Sequence, residues 1–232
     1  MLKPLGLLPK LRSGNGVPSA AAAHAHTNGE NLRPSNGLKE FLSHLGMPDN
    51  ARVLDLGPVS QATVDFFTWQ HYRIYSEDLL RAWQDFLAAE LAALMAAGVG
   101  EKKEAERPEP AERASRFLAA QLDYPEESFH GVLAWDLIDY LPPELGQALA
   151  ARLHRLVRPG GAALAIFHNR IPERFHRYRV LNAAAVEYLP CAAPVPYGRV
   201  LPNREILNLF SKFRSSKSFV GRDQIREVLF TR

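Results

Sequence analysis

The chain has 232 residues, 47% hydrophobic and 23% charged, with a formal net charge of +3 and a single cysteine, Cys191. That length accommodates one α/β domain with a tail, able to bury roughly 70% of its unfolded surface without staples. One cysteine excludes an internal disulfide and the usual zinc-finger spacings and fits a reducing, cytoplasmic location. With no run of about 18 uninterrupted apolar residues, no membrane span is expected. The charge is uneven: Met1–Ala151 holds 13 Lys and Arg against 20 Asp and Glu, net −7, whereas 152–232 holds 15 against 5, net +10. The basic C-terminal third bears on the charge of what the protein binds.

The opening MLKPLGLLPKLR is broken by Pro4, Gly6 and Pro9 and lacks the apolar core of a secretory signal. Residues 1–36 are rich in Gly, Pro, Ala, Asn and Ser, without periodic apolar positions, and read as a disordered tail ahead of a domain over 37–232. Leu38, Phe41, Leu42 and Leu45 have helical spacing, and Gly46 closes that helix. Val53, Leu54 and Leu56 form a short apolar run ending in Gly-Pro, as a buried parallel strand does. Ser60 is placed to cap the following helix, QATVDFFTW. A second strand spans about Tyr72–Ser76, and a long Ala- and Leu-rich helix covers Asp78–Ala97.

The charged stretch at 98–110 reads as a solvated linker, and Ala111–Gln121 as a helix. Gly131–Trp135 is an apolar strand; Pro142 and Pro143 open a helix with Leu145, Leu149, Leu153 and Leu156 on one face. Arg-Pro-Gly-Gly stops it, and Ala162–Phe167 is the next strand. After the basic stretch 168–179 come a helix near Asn203–Phe213 and two strands, Ser218–Val220 and Glu227–Phe230, read as an antiparallel hairpin. Strands alternating with helices imply an α/β, Rossmann-like, doubly wound and mostly parallel sheet with that hairpin at its edge.

VLDLGPVS, the segment from LDYPEES through RPGGAALAIF, and the closing REVLFTR together resemble class I S-adenosylmethionine-dependent methyltransferases over roughly residues 38–232. The resemblance implies S-adenosyl-L-methionine as cofactor and an unidentified methyl acceptor. It places cofactor contacts at Asp55 and Gly57 after the first strand, at Glu77 or Asp78 on the ribose hydroxyls, and at Asp123 and Tyr124 near adenine. Trp135 and Asp136 would face the methionine end or the acceptor. Ligands of open parallel sheets lie beyond the carboxyl ends of the strands, where the order reverses. The family pattern Asp-x-Gly-x-Gly-x-Gly is degenerate here, with Val59 and Gln61 at the second and third glycine positions. A β-branched residue resists positive φ and adds bulk where the cofactor should lie. That departure keeps open a non-catalytic partner-binding module of the same fold. The place of a third strand is taken by RFLAAQL, which reads as helix.

Each candidate has a plainer reading. Asp55 could cap its loop, Glu77 and Asp78 could be first-turn acids favoured by the helix dipole, and Trp135 could be core. Asp139 reads as a solvated or capping acid, and His168 and His176 as surface histidines; as bases, Asp136 and His168 are the weak candidates. The basic stretch 168–179 is either a solvated loop or a surface for an acidic acceptor or for nucleic acid, which opens a third reading, an RNA-binding protein. No metal-ligand cluster or Gly-x-Ser-x-Gly elbow is present, and the absence of Gly-x-Gly-x-x-Gly argues against a nicotinamide enzyme.

Overall fold

A computed structural model describes residues 31–46, 50–96, 108–221 and 224–232. The tail up to Glu30 and most of the charged linker, 97–107, lie outside the described residues. The elements are β1 (Leu32–Pro34), α1 (Asn36–Leu45), β2 (Arg52–Asp55), α2 (Gln61–Trp69), β3 (Arg73–Ser76), α3 (Leu79–Ala96), α4 (Pro110–Gln121), β4 (Phe129–Trp135), α5 (Leu137–Tyr140), α6 (Pro143–Leu156), β5 (Val157–His168), β6 (Phe175–Asn182), β7 (Ala185–Cys191), α7 (Asn203–Leu209), β8 (Ser215–Val220) and β9 (Ile225–Thr231).

Six strands form the main sheet in the order β3-β2-β4-β5-β9-β8. β3, β2, β4 and β5 run parallel, β9 is antiparallel to β5, and β8 is antiparallel to β9. The chain leaves β2 for β3 on one side, then returns to β4 on the other, so the order reverses between β2 and β4. Among the described residues no strand lies beyond β3, and RFLAAQL runs in α4 to its C-cap Leu122, as its pattern predicts. The fold is therefore a Rossmann-like, doubly wound sheet with a C-terminal antiparallel hairpin.

The period-2 alternation of β5 shows how the sheet divides the core. Ala163, Ala165 and Phe167 pack with Leu149, Leu153 and Phe210 on one face, and Ala162, Leu164 and Ile166 with Leu38, Phe41 and Tyr178 on the other. Both faces of β4 and β5 are covered, which is why these strands read as continuous apolar runs. Gly131 admits the first of those helices at close range: a Cβ there would stand 2.4 Å from Cζ of Phe41. Helix α1 is capped by Ser35, whose hydroxyl accepts from the Leu38 amide at 2.9 Å, and ends at Gly46 with φ of 64°.

Three features differ from the sequence reading. Ser60 precedes α2 in extended backbone, yet its buried hydroxyl makes no cap bond. The basic stretch 168–179 is not a loop throughout: from Phe175 it is β6, paired with β7 around the short turn 183–184. Its alternation was obscured because His176 shares the face of Tyr178 and Val180 while Phe175 and Leu181 share that of Arg177 and Arg179, and the turn carries Ala rather than Gly; the one local signal is Asn182, whose Oδ1 accepts from the Ala184 amide at 2.9 Å. Leu32–Pro34, inside the stretch assigned to the tail, is β1, which pairs with β7 and completes a three-stranded sheet β1-β7-β6. Three residues carry no periodicity of their own, so backbone pairing alone orders them.

Candidate functional site

Three of the four parallel strands, β2, β3 and β4, deliver an acid to their carboxyl ends, and each acid meets a partner brought by another element. Asp55 ends β2 and is 1% exposed. Its Oδ1 accepts from the Gly57 amide at 2.9 Å and from Nε1 of Trp135 at 2.6 Å. Burial pushes this carboxyl up from 3.8 to about 6, against the downward pull of those two bonds. Trp135, the last residue of β4, has φ of 46°, a strained conformation for a bulky residue. Its indole stacks on Tyr178 of β6, with ring centres 5.1 Å apart and planes 6° from parallel.

The indole, not Val59, adds bulk at the glycine loop. A Cβ on Gly57 would lie 3.0 Å from Cδ1 and Nε1 of Trp135. Val59 is 73% exposed and points away, and no residue of the loop 57–61 has positive φ, so the family's second glycine position makes no conformational demand here. Gln61 starts α2 and bonds Asp65 at 2.7 Å.

Glu77 follows β3 and is half-buried; it accepts from Tyr124 Oη at 2.5 Å and from Nε2 of Gln121 at 2.7 Å. Two residues expected at opposite ends of the nucleoside, Glu77 and Tyr124, thus touch one another. An ionised carboxylate has about four acceptor sites, so Glu77 keeps capacity for a ligand hydroxyl. Asp78 accepts from the Arg81 amide at 3.3 Å, capping the first turn of α3, and its side chain faces the main cavity. Asp123 is exposed and lines neither of the cavities described below.

The third acid, Asp136, begins a buried cluster that the sequence did not announce. Asp136 Oδ2 accepts from Tyr178 Oη at 2.7 Å and lies 3.8 Å from His168 Nε2. Nδ1 of the same imidazole is 3.0 Å from Asp139 Oδ2, which also accepts from the His168 amide at 2.8 Å. Asp139 is fully buried and His168 is 4% exposed, correcting the readings of a solvated acid and a surface histidine. The reason is tertiary: the short helix α5 folds Asp139 beneath the end of β5, where His168 closes the strand. Burial, opposed by the His168 ring and Tyr178, raises Asp136 from 3.8 to about 7, and burial also raises Asp139. A carboxyl poised near neutrality beside an imidazole can accept and relay a proton.

A cavity of about 370 Å³ opens at the carboxyl ends of the strands, where the order reverses; its walls include Leu56, Gly57, Asp78, Trp135, Asp136 and Tyr178. Gly57, Asp78, Trp135 and Asp136 line it, with Asp55 bonded to Gly57 and Trp135 behind that wall; Glu77, next to Asp78 in the chain, pairs with Tyr124 outside the lining, and Asp123 joins neither. A second cavity, of about 350 Å³, lies on the far side of His176, which lines both. Among the described residues no group of acids, histidines and cysteines could hold a metal ion, and no helix is long and apolar enough to cross a membrane.

No family model matches the chain, and no curated protein matches it. Among solved structures it is similar to a 1,6-didemethyltoxoflavin-N1-methyltransferase from Burkholderia thailandensis (18% identity, 84% of this chain and 74% of that one, TM-score 0.43). It is similar also to a TehB-like methyltransferase from Corynebacterium glutamicum (13%, 84% and 87%, TM-score 0.43) and to an S-adenosylmethionine-dependent methyltransferase from Mesorhizobium loti (13%, 82% and 94%, TM-score 0.40). The fold rests on the chain's own strand order, β3-β2-β4-β5-β9-β8 with its antiparallel C-terminal pair, which is the Rossmann-like arrangement that the methyltransferase resemblance implies.

Proposed function

We propose that the protein binds S-adenosylmethionine in the cavity at the switch point and transfers its methyl group to an acceptor. The observation that carries this reading is the position of that cavity: it opens between the ends of β2, β3 and β4, with Gly57, Asp78 and Asp136 on its walls. The residues present fit the cofactor in part. Glu77 is half-buried with acceptor sites to spare for ribose hydroxyls, and Asp78 and Asp136 present carboxyl groups on the walls where a cationic ligand would lie. Asp55, spent on Trp135 and Gly57, acts through the indole, holding it against Tyr178 as one wall.

The cofactor supplies an electrophilic methyl on a good leaving group, so the chain's task is alignment. Trp135 and Tyr178 fix the wall of the cavity, and Asp136 takes the proton of an acceptor that carries one. Its raised carboxyl keeps that role available near neutral pH. Calorimetry with S-adenosylhomocysteine tests the reading: micromolar binding is expected, with Glu77→Ala weakening it about tenfold, or about 1.4 kcal/mol. No heat with millimolar ligand overturns it.

A second reading, a partner-binding module that has lost the cofactor, is favoured by the indole of Trp135 lying against Gly57. It predicts that no cofactor heat appears even in Trp135→Phe, where the ring is smaller.

A further inference from the structure

The basic stretch that opens β6 builds the second cavity. Arg33 from β1, Arg170 and Arg174 line it together with His168 and His176, and among the described residues Glu173 is the one acid on its walls. Among the described residues none of the three arginines has an ion-pair or hydrogen-bond partner, whereas Arg179, further along β6, is paired with Glu187 at 3.0 Å. These three exposed arginines, drawn from two separate segments of chain, line one concavity, and an anion seated there would meet charge-assisted donors from both segments. The field is felt at His176, which is held below the ordinary imidazole range first by burial and then by His168, Arg33 and Arg174.

We infer that this cavity seats a phosphate or carboxylate of the methyl acceptor, presenting the acceptor's nucleophile across His176 to the cavity at the switch point. His176 is a wall of both cavities, and the Asp136–His168 contact at 3.8 Å joins the first to the second. The acceptor is thereby placed with its anion in the second cavity and its nucleophile in the first, on the two sides of the shared His176 wall. In the transfer, a lone pair of the acceptor's O–H or N–H atom forms the bond to the methyl carbon. The carbon–sulfur bond breaks with its electrons going to sulfur, and the acceptor's proton passes to the Asp136 carboxylate. The assignment to an acceptor rests on the methyl-transfer reading; the anion site does not.

The test titrates inorganic phosphate into the full-length protein, followed by calorimetry and by the NMR titration of His176. Phosphate is expected to bind and to raise the His176 pKa. Arg33→Gln with Arg174→Gln should weaken it at least about tenfold, or about 1.4 kcal/mol. Arg116→Gln, at a guanidinium that pairs with Glu90, should leave it unchanged. Absent binding, or binding indifferent to the double variant, overturns the site. An RNA oligonucleotide that binds through the same arginines with affinity growing with length overturns the small-acceptor assignment in favour of nucleic acid. S-adenosylhomocysteine is measured on the same samples: its binding without phosphate binding overturns this inference alone, and phosphate binding without it overturns the acceptor assignment together with the methyl-transfer reading.

Discussion

Replacing Trp135 with phenylalanine separates the work of the indole N–H from that of the ring. Asp55 is 1% exposed, and its carboxyl stands at about 6 in the folded protein against 3.8 unperturbed. A folded value above the unfolded one means that the native state holds the proton longer. Stability is then fully present below about pH 4 and falls as pH rises through 6, by about 3 kcal/mol at roughly 1.4 kcal/mol per pH unit. The 2.6 Å bond from Trp135 limits that loss by favouring the carboxylate. It contributes about 2 kcal/mol when Asp55 is ionised and about 1 kcal/mol when Asp55 is neutral. Without it the carboxyl climbs further, and stability keeps falling at pH values where the native protein has levelled off. The smaller ring adds about 1 kcal/mol at every pH. Denaturant unfolding of Trp135→Phe should therefore show a deficit of about 2 kcal/mol at pH 5 and about 3 kcal/mol or more at pH 8, and Asp55→Asn in the same background should flatten the difference. A deficit equal at both pH values refutes the argument that Trp135 acts on the Asp55 charge.

Asp136→Asn keeps an acceptor for Tyr178 Oη and removes a buried charge whose carboxyl stands at about 7. Its stability gain over the native protein should vanish near pH 4 and reach about 4 kcal/mol by pH 8, at roughly 1.4 kcal/mol per pH unit between 3.8 and about 7, read from unfolding curves at both. Gly131→Ala drives a Cβ to 2.4 Å from Cζ of Phe41 and should cost about 2–3 kcal/mol of unfolding free energy by the same assay. Val59→Ser, at the position where the family pattern has glycine, should leave stability within about 0.5 kcal/mol and S-adenosylhomocysteine affinity within about threefold, because Val59 is exposed and lines a different surface from the main cavity. A large loss of affinity there would return the loop itself to the centre of the site.

The sequence by itself determined the sheet and its helices, because β2, β4 and β5 are buried on both faces and so read as apolar runs, and because prolines and glycines punctuate the helices between them. It also placed Asp55, Glu77 and Asp136 at strand ends, which is a property of spacing along the chain. Tertiary structure decided what those acids do. Trp135 and Asp55 are 80 residues apart, Tyr124 and Glu77 47, and His168 and Asp139 29; no local pattern connects them. The hairpin β6–β7 was hidden for a related reason: its inward Tyr178 and Val180 alternate with Arg177 and Arg179, and His176 precedes them on the same face, so the stretch looks like a charged loop until the sheet gives it one face to bury. The sequence located the departure from the family pattern in Val59, whereas the space beside Gly57 is taken by a side chain from β4, since volume in a folded protein is filled by whatever packs there and not by what is next in sequence.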